Sequence, residues 1–427
     1  MTAIVTPSKI NGILAAPSSK SSMQRACAAA LLHAGTTHIH NAGISNDDKA
    51  ALNIIQLLGA EITQEENKIT IVSKGFSAEN VPVKNEISCG ESGLSIRMFA
   101  PVAALSSSVI TLTGSGSLLS RPMSFFDEIF PQLGVHIETN NGHLPLKING
   151  PILPVSISID GSLSSQFLTG LLFSLGAAAK EIITVFVKDL KSKPYIDLTL
   201  DVMKKFGYKI ENQNYQRFVI HPKPAHREDI IEYTVEGDWS SAAFLLVAGA
   251  ISGNVKITGL DVNSTQADKA IMKALKDCGA GINIDYDYIE ISKAPLQSFT
   301  FDATDCPDLF PPLVVLAAYC KGTTVIKGTH RLAAKESDRA ITLQQIFDDM
   351  GIEISLEKDE MFIKGGPIKT AEVSSHHDHR IAMAAAIAAL GAEGTIEISN
   401  ADAVNKSYPQ FYEDLKKLGA IIDLIQP

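Results

Sequence analysis

The stretch KESDR, residues 335–339, sets Lys335 and Arg339 four positions apart with Glu336 beside the lysine. On a helix that spacing puts both cations on one face. A carboxylate next to paired cations suits proton transfer beside a bound anion, although a solvated helix start is the plainer use of the same five residues. Comparable polar clusters head several apolar runs. PSSKSSMQR offers Lys20, Ser21 and Arg25 ahead of ACAAALL. SGLSIRMFAPVAAL holds Arg97, and SSQFLTGLLFSL opens with Ser164, Ser165 and Gln166. DWSSAAFLL begins at Asp238, PDLFPPLVVLAAY carries Asp308, and DHRIAMAAAIAAL carries His379 and Arg380. Loops add Arg121 in SLLSRP, Ser192 and Tyr195 in KSKPYIDL, and Lys406 in NKSYP.

Helix starts bear unpaired N–H groups and the positive end of the dipole, so they are ready anion sites. Serine and aspartate there are more often simple caps, and a cap is expected of Ser21; Ser164 and Asp308 could be caps as well. The arginines are harder to explain that way. Arg25, Arg97 and Arg380 lie inside otherwise apolar helices, and a buried unpaired guanidinium is costly. Each therefore needs an anion, from the protein or from a ligand. Arginines and lysines in this number call for a substrate, or a pair of substrates, with several phosphate or carboxylate groups.

Other patterns carry less. HHDHR has the look of a metal cluster, but no second ligand group stands at a recognised spacing, so no metal is expected. TGSGSLL is neither GxGxxG nor a Walker A sequence. The five cysteines, Cys27, Cys89, Cys278, Cys306 and Cys320, form no CxxC pair; neither a disulfide framework nor a zinc site is signalled. The net charge of −10 argues against a broad nucleic-acid surface while leaving room for a local cationic pocket. The first residues lack the layout of a signal peptide, and no apolar run of spanning length stands between suitable flanks. The expectation is a soluble, cytoplasmic protein without membrane or nucleic-acid partners.

The elements that position these residues repeat. A helix ending in glycine before an apolar strand start recurs six times: LLGAEI, QLGVHI, KFGYKI, DCGAGI, DMGIEI and KLGAII. The glycines, Gly59, Gly134, Gly207, Gly279, Gly351 and Gly419, fall about seventy residues apart. Each fits a left-handed position just past a helix. Upstream of each stand a polar cluster, a helix of small apolar residues that must be buried on most sides, a short β-rich run and an amphipathic second helix. Two further strands usually follow the glycine. Six such α/β units in 427 residues predict two domains of three units. The predicted domains are 1–19 with 236–427, and 20–235, with crossings near 18–20 and 235–238. The N-terminal strand then completes the C-terminal domain. Parallel buried helices in two facing domains would enclose a cleft rich in anion donors.

PSSKSSMQR, DGSLSSQFLTGLL, SKPYIDLTL, EGDWSSAA, KESDR and DHRIAM, in this order and across almost the whole chain, resemble the motif set of the 5-enolpyruvylshikimate-3-phosphate synthase family. The resemblance implies a two-domain inside-out α/β barrel, the enolpyruvyl transferase fold, with three βαβαββ units per domain. It implies transfer of the enolpyruvyl group of phosphoenolpyruvate to the 5-hydroxyl of shikimate 3-phosphate through a tetrahedral ketal, with release of phosphate. It assigns proton transfer to Asp308, Glu336 and Lys20. Lys20, Ser21, Arg25, Ser164, Ser165, Gln166, Ser192, Asp308 and Lys335 would hold shikimate 3-phosphate. Lys20, Gly93, Arg121, Gln166, Arg339, Arg380 and Lys406 would hold phosphoenolpyruvate. No cofactor is called for, and the family precedent is a monomer. Domain closure would exclude water.

Two departures and two rivals accompany the resemblance. GESGLS at 90–95 stands where many members read GNAGT, so Glu91 replaces an asparagine and Leu94 a threonine. A carboxylate near a phosphate pocket should repel unless it pairs with a neighbouring arginine. Arg331 stands where an asparagine is usual. A sister enzyme acting on UDP-N-acetylglucosamine usually carries a cysteine in the loop before the arginine matching Arg121; TGSGSLLSR has none. A non-catalytic anion-binding homologue would have lost Asp308, Glu336 or Lys20, and all three are present.

Overall fold

The computed structural model describes residues 1–66, 68–223, 230–333 and 335–426. The chain divides into two compact units, Met1–Pro17 with Gly237–Pro427, and Ser18–Glu236. Among the described residues each unit holds three four-stranded sheets. One sheet shows the plan. Ile157–Asp160 runs parallel to Ile183–Lys188, which pairs antiparallel with Arg217–Ile220, and that strand pairs antiparallel with Ile210–Gln213. A parallel pair needs a crossover, and the apolar helix Ser165–Ala178 supplies it.

Three sheets borrow a strand from far along the chain. Ile230–Thr234 lies parallel to Ala34–His40. Ile10–Ala15 lies parallel to Gly253–Thr258. Thr2–Thr6 fits between Ile396–Ser399 and Ile421–Ile425, antiparallel to both. The expected N-terminal strand is thus two strands, completing two different sheets.

The buried helices are Lys20–Leu32, Gly93–Ala103, Ser165–Ala178, Trp239–Ser252, Phe310–Ala318 and His379–Ala389. Alanine and glycine let neighbours approach from all sides; every residue of the sixth is buried. The six repeat glycines adopt φ between 71° and 111°, left-handed as their spacing predicts. All five cysteines are free and buried. Among the described residues no helix is long and apolar enough to cross a membrane.

Two local expectations fail. Ser21 is not the cap of the first helix: Ser19 is, with extended backbone and a hydroxyl that accepts from Ser22 N at 3.3 Å. The helix starts at Lys20, so Ser21 already has helical geometry, and four serines flanking one lysine do not themselves mark which one turns the corner. Lys335 and Arg339 share no helix face. Their helix is Arg339–Asp349, capped by Asp338, and Lys335 stands in the loop before it.

Candidate anion-binding and proton-transfer site

In the unit Met1–Pro17 with Gly237–Pro427, the charged helix starts converge on Asp308. This residue sits in a 3-10 turn, Pro307–Leu309, leading into the fifth buried helix. That helix has no side-chain cap, so Asp308 is not one. Its Oδ1 accepts from Lys335 Nζ at 3.0 Å and from Arg339 Nη1 at 2.8 Å; its Oδ2 accepts from Arg380 Nη2 at 3.2 Å. Burial pushes the carboxyl up, but Arg380, Lys335 and Arg339 outweigh it and hold the group well below the usual carboxylate range. Burial lowers Lys335 despite its partner.

Each guanidinium nitrogen of Arg339 donates to a carboxylate. Its Nε donates to Asp378 Oδ2 at 2.8 Å, and its Nη2 donates to Asp378 Oδ1 at 3.1 Å and to Glu336 Oε2 at 2.5 Å. Asp378 also caps the sixth helix by accepting from Arg380 N at 2.9 Å. Three carboxylates, Asp308, Glu336 and Asp378, thus face three cations, Lys335, Arg339 and Arg380. Lys406 lies near the same helix start, its Nζ donating to His377 O at 2.7 Å. His379, offered by the sequence as a ligand group, is instead packed into the interior beside Asp378. Asp268, also buried nearby and bonded to Ser240, is raised by burial and by Asp308. Among the described residues no group of three or more His, Cys, Asp or Glu is placed to hold a metal.

The unit Ser18–Glu236 gathers the remaining residues in three places. Arg25, 1% exposed, donates from Nε to Thr199 Oγ1 at 2.8 Å, from Nη1 to Ser21 O at 2.8 Å and from Nη2 to Tyr195 O at 3.3 Å. All three acceptors are neutral oxygens, and burial pulls the guanidinium down to about 10. Ser192 precedes Lys193–Lys205 with φ 54°, a costly left-handed geometry for serine that concentrates at ligand sites. Lys20 Nζ reaches Asp47 Oδ2 at 2.8 Å.

The third group surrounds Gly93, first residue of the second buried helix. A Cβ added there would lie 2.3 Å from Arg121 Nη1 and 3.6 Å from Arg97 Nη1. The missing Cβ lets the Arg121 guanidinium approach the helix start this closely, while Arg97 is at ordinary contact distance. Arg97 Nη1 donates to Gln166 Oε1 at 2.9 Å and stacks over Phe167, so it turns the Gln166 amide N–H groups away from itself. Ser164 caps the third helix, accepting from Gln166 N at 3.3 Å, and Ser165 opens it.

Asp378 and Asp47 were missed by sequence reasoning. A signal for Asp378 existed in its position before His379 and Arg380, a cap motif at a cationic helix start. Asp47 gives no such signal, because Asp48, one residue on, completes the capping box with Ser45.

The family model described as EPSP synthase (3-phosphoshikimate 1-carboxyvinyltransferase) matches residues 4–415. A protein from Clostridium novyi named 3-phosphoshikimate 1-carboxyvinyltransferase is 40% identical over 426 residues, 98% of each chain. A solved EPSP synthase from Acinetobacter baumannii superposes with TM-score 0.84 at 26% identity, covering 100% of both chains. The enolpyruvyl transferase NikO from Streptomyces tendae shares the fold, with TM-score 0.76 at 19% identity over 99% of this chain and 98% of that one.

Proposed function

This chain belongs to the EPSP synthase family, and we infer that it transfers the enolpyruvyl group of phosphoenolpyruvate to the 5-hydroxyl of shikimate 3-phosphate. The observation that carries the reading is the carboxylate of Asp308 held among Lys335, Arg339 and Arg380, with Glu336 on the same arginine. Such a cluster binds an anion and moves protons beside it.

In this reading the 5-hydroxyl oxygen attacks C2 of phosphoenolpyruvate and Asp308 takes the hydroxyl proton. Glu336, with Lys20, delivers a proton to the methylene carbon, giving the tetrahedral ketal. The C2–O bond to phosphate then breaks, the methyl group returns a proton, and the vinyl ether and phosphate leave. Arg339 and Arg380 take the carboxylate and phosphate of phosphoenolpyruvate, with Lys20, Gly93, Arg121, Gln166 and Lys406. Ser21, Arg25, Ser164, Ser165, Gln166, Ser192 and Lys335 hold shikimate 3-phosphate. Arg25 fits that role because its bonding partners are all neutral, so its charge is still to be matched.

The depressed pKa of Asp308 is part of the design. A carboxylate shared by three cations is a weak base. Once substrate anions engage Arg339 and Arg380, the field on Asp308 falls and its basicity rises. Proton removal is thereby tied to substrate binding. The same reading takes the chain as a cytoplasmic monomer.

The test is phosphate release from phosphoenolpyruvate with shikimate 3-phosphate and, separately, with UDP-N-acetylglucosamine. Release with the first acceptor only is expected. Release with the second only would overturn the assignment.

A further inference from the structure

Glu91 is the residue for which sequence reasoning expects repulsion unless it pairs with a neighbouring arginine, and its surroundings give it a further part. The loops 90–92 and 114–121 leave neighbouring parallel strands, Glu86–Ser88 and Val109–Thr113, with Ser88 opposite Thr113. Their pairing continues past the strand ends: Cys89 N donates to Thr113 O at 2.9 Å and Ser115 N to Gly90 O at 2.8 Å. The next link is a side chain. Glu91 Oε2 accepts from Ser117 N at 3.3 Å.

Ser117 lies in the 3-10 turn Gly116–Ser120, whose own cap residue, Ser115, makes no side-chain cap bond. Gly116 has φ 55°, and a Cβ there would sit 2.1 Å from Glu91 Oε2. The carboxylate therefore lies flat against the start of the turn, where free N–H groups favour negative charge. Arg121 follows the far end of the turn, its N donating to Leu118 O at 3.2 Å, and its buried side chain returns over Gly93.

We propose that Glu91 is a positioning residue: its carboxylate oxygen caps the turn Gly116–Ser120 from the neighbouring loop and so seats the Arg121 guanidinium over Gly93. This rests on the reading above, in which Arg121 takes phosphoenolpyruvate. The carboxylate contributes through this acceptor oxygen.

The experiment compares Glu91→Ala, Glu91→Gln and Arg121→Lys, with the Glu91→Ala/Arg121→Lys double variant. Glu91→Ala should raise KM for phosphoenolpyruvate about fivefold to tenfold, the scale of a lost cap, with kcat and KM for shikimate 3-phosphate within about twofold. Glu91→Gln keeps an acceptor oxygen and should restore the wild-type KM. In the Arg121→Lys background, Glu91→Ala should add little, since the two act as one unit. Amide exchange at Ser117 should speed up in Glu91→Ala only. That readout does not depend on turnover, so it tests the cap even if the assigned reaction is wrong. An unchanged KM in Glu91→Ala, a Glu91→Gln variant as impaired as the alanine, additive effects in the double variant, or unaltered exchange at Ser117 would each overturn the proposal.

Discussion

Replacing Asp308 by asparagine should move binding and turnover in opposite directions. The side chain keeps its shape and loses one negative charge from among Lys335, Arg339 and Arg380, whose nitrogens lie 2.8 to 3.2 Å away. A unit charge pair 4 Å apart is worth about 4 kcal/mol at an effective dielectric near 20. Asp308 is 23% exposed, and an entering anion only exchanges one counter-charge for another, so most of this is recovered in the wild type. A net gain of about 1–2 kcal/mol is left for an anion that no longer competes with the carboxylate. That corresponds to phosphoenolpyruvate binding about fivefold to thirtyfold more tightly in Asp308→Asn, read by titration calorimetry. Turnover should fall at least about 100-fold, because a general base contributes about 10²- to 10⁴-fold, read by phosphate release. A fold intact by circular dichroism makes both readings interpretable. Turnover within about threefold of wild type would refute the base assignment. Weaker phosphoenolpyruvate binding would refute the idea that Asp308 is an internal stand-in for the substrate's charge.

The same variant tests the pH dependence. Asp308 is held below its unfolded value of about 3.9, so its contribution to stability is complete above about pH 4 and is lost as the pH falls through the folded value; the melting-temperature gap between wild type and Asp308→Asn should be flat near neutrality and close in acid. Gly93→Ala must displace Arg121, since the new Cβ would lie 2.3 Å from Nη1, and a shift of about 1 Å at a ligand group costs up to about 100-fold; kcat/KM for phosphoenolpyruvate should fall at least about tenfold, and a fall under twofold would place the guanidinium elsewhere. Ser19→Ala should cost about 1 kcal/mol of stability as a lost cap, a lowered melting temperature by calorimetry, whereas Ser21→Ala should leave the melting temperature within a degree or two and raise KM for shikimate 3-phosphate.

What could be read before folding divides by the range of the interaction. The six glycines were legible because a left-handed helix exit depends on one residue and its immediate neighbours. The buried helices were legible because their composition alone rules out a wet face. Strand borrowing was legible only in outline: Val5 pairs with Ile396 and Ile422, a choice among many equally β-prone segments that no local pattern decides. The same limit governs the charges. Arg339 was visible as a cation four residues from Lys335, and that spacing pointed to the wrong geometry, because the loop before Arg339 brings the two together through Asp308 and not through a helix face. A cap motif marked Asp378 although it was not read as one, but nothing local marked its second task, gripping a guanidinium 39 residues away. Glu91 makes the point most sharply. Its sign predicts repulsion of a phosphate unless an arginine pairs with it, yet its Oε2 also accepts from the backbone N–H of Ser117, 26 residues on. Every residue but proline offers such an N–H, so no sequence feature marks the one left open at the start of a turn. The charge type of a side chain is written in the chain; whether that charge faces a ligand or is spent on the backbone is settled by which loops become neighbours.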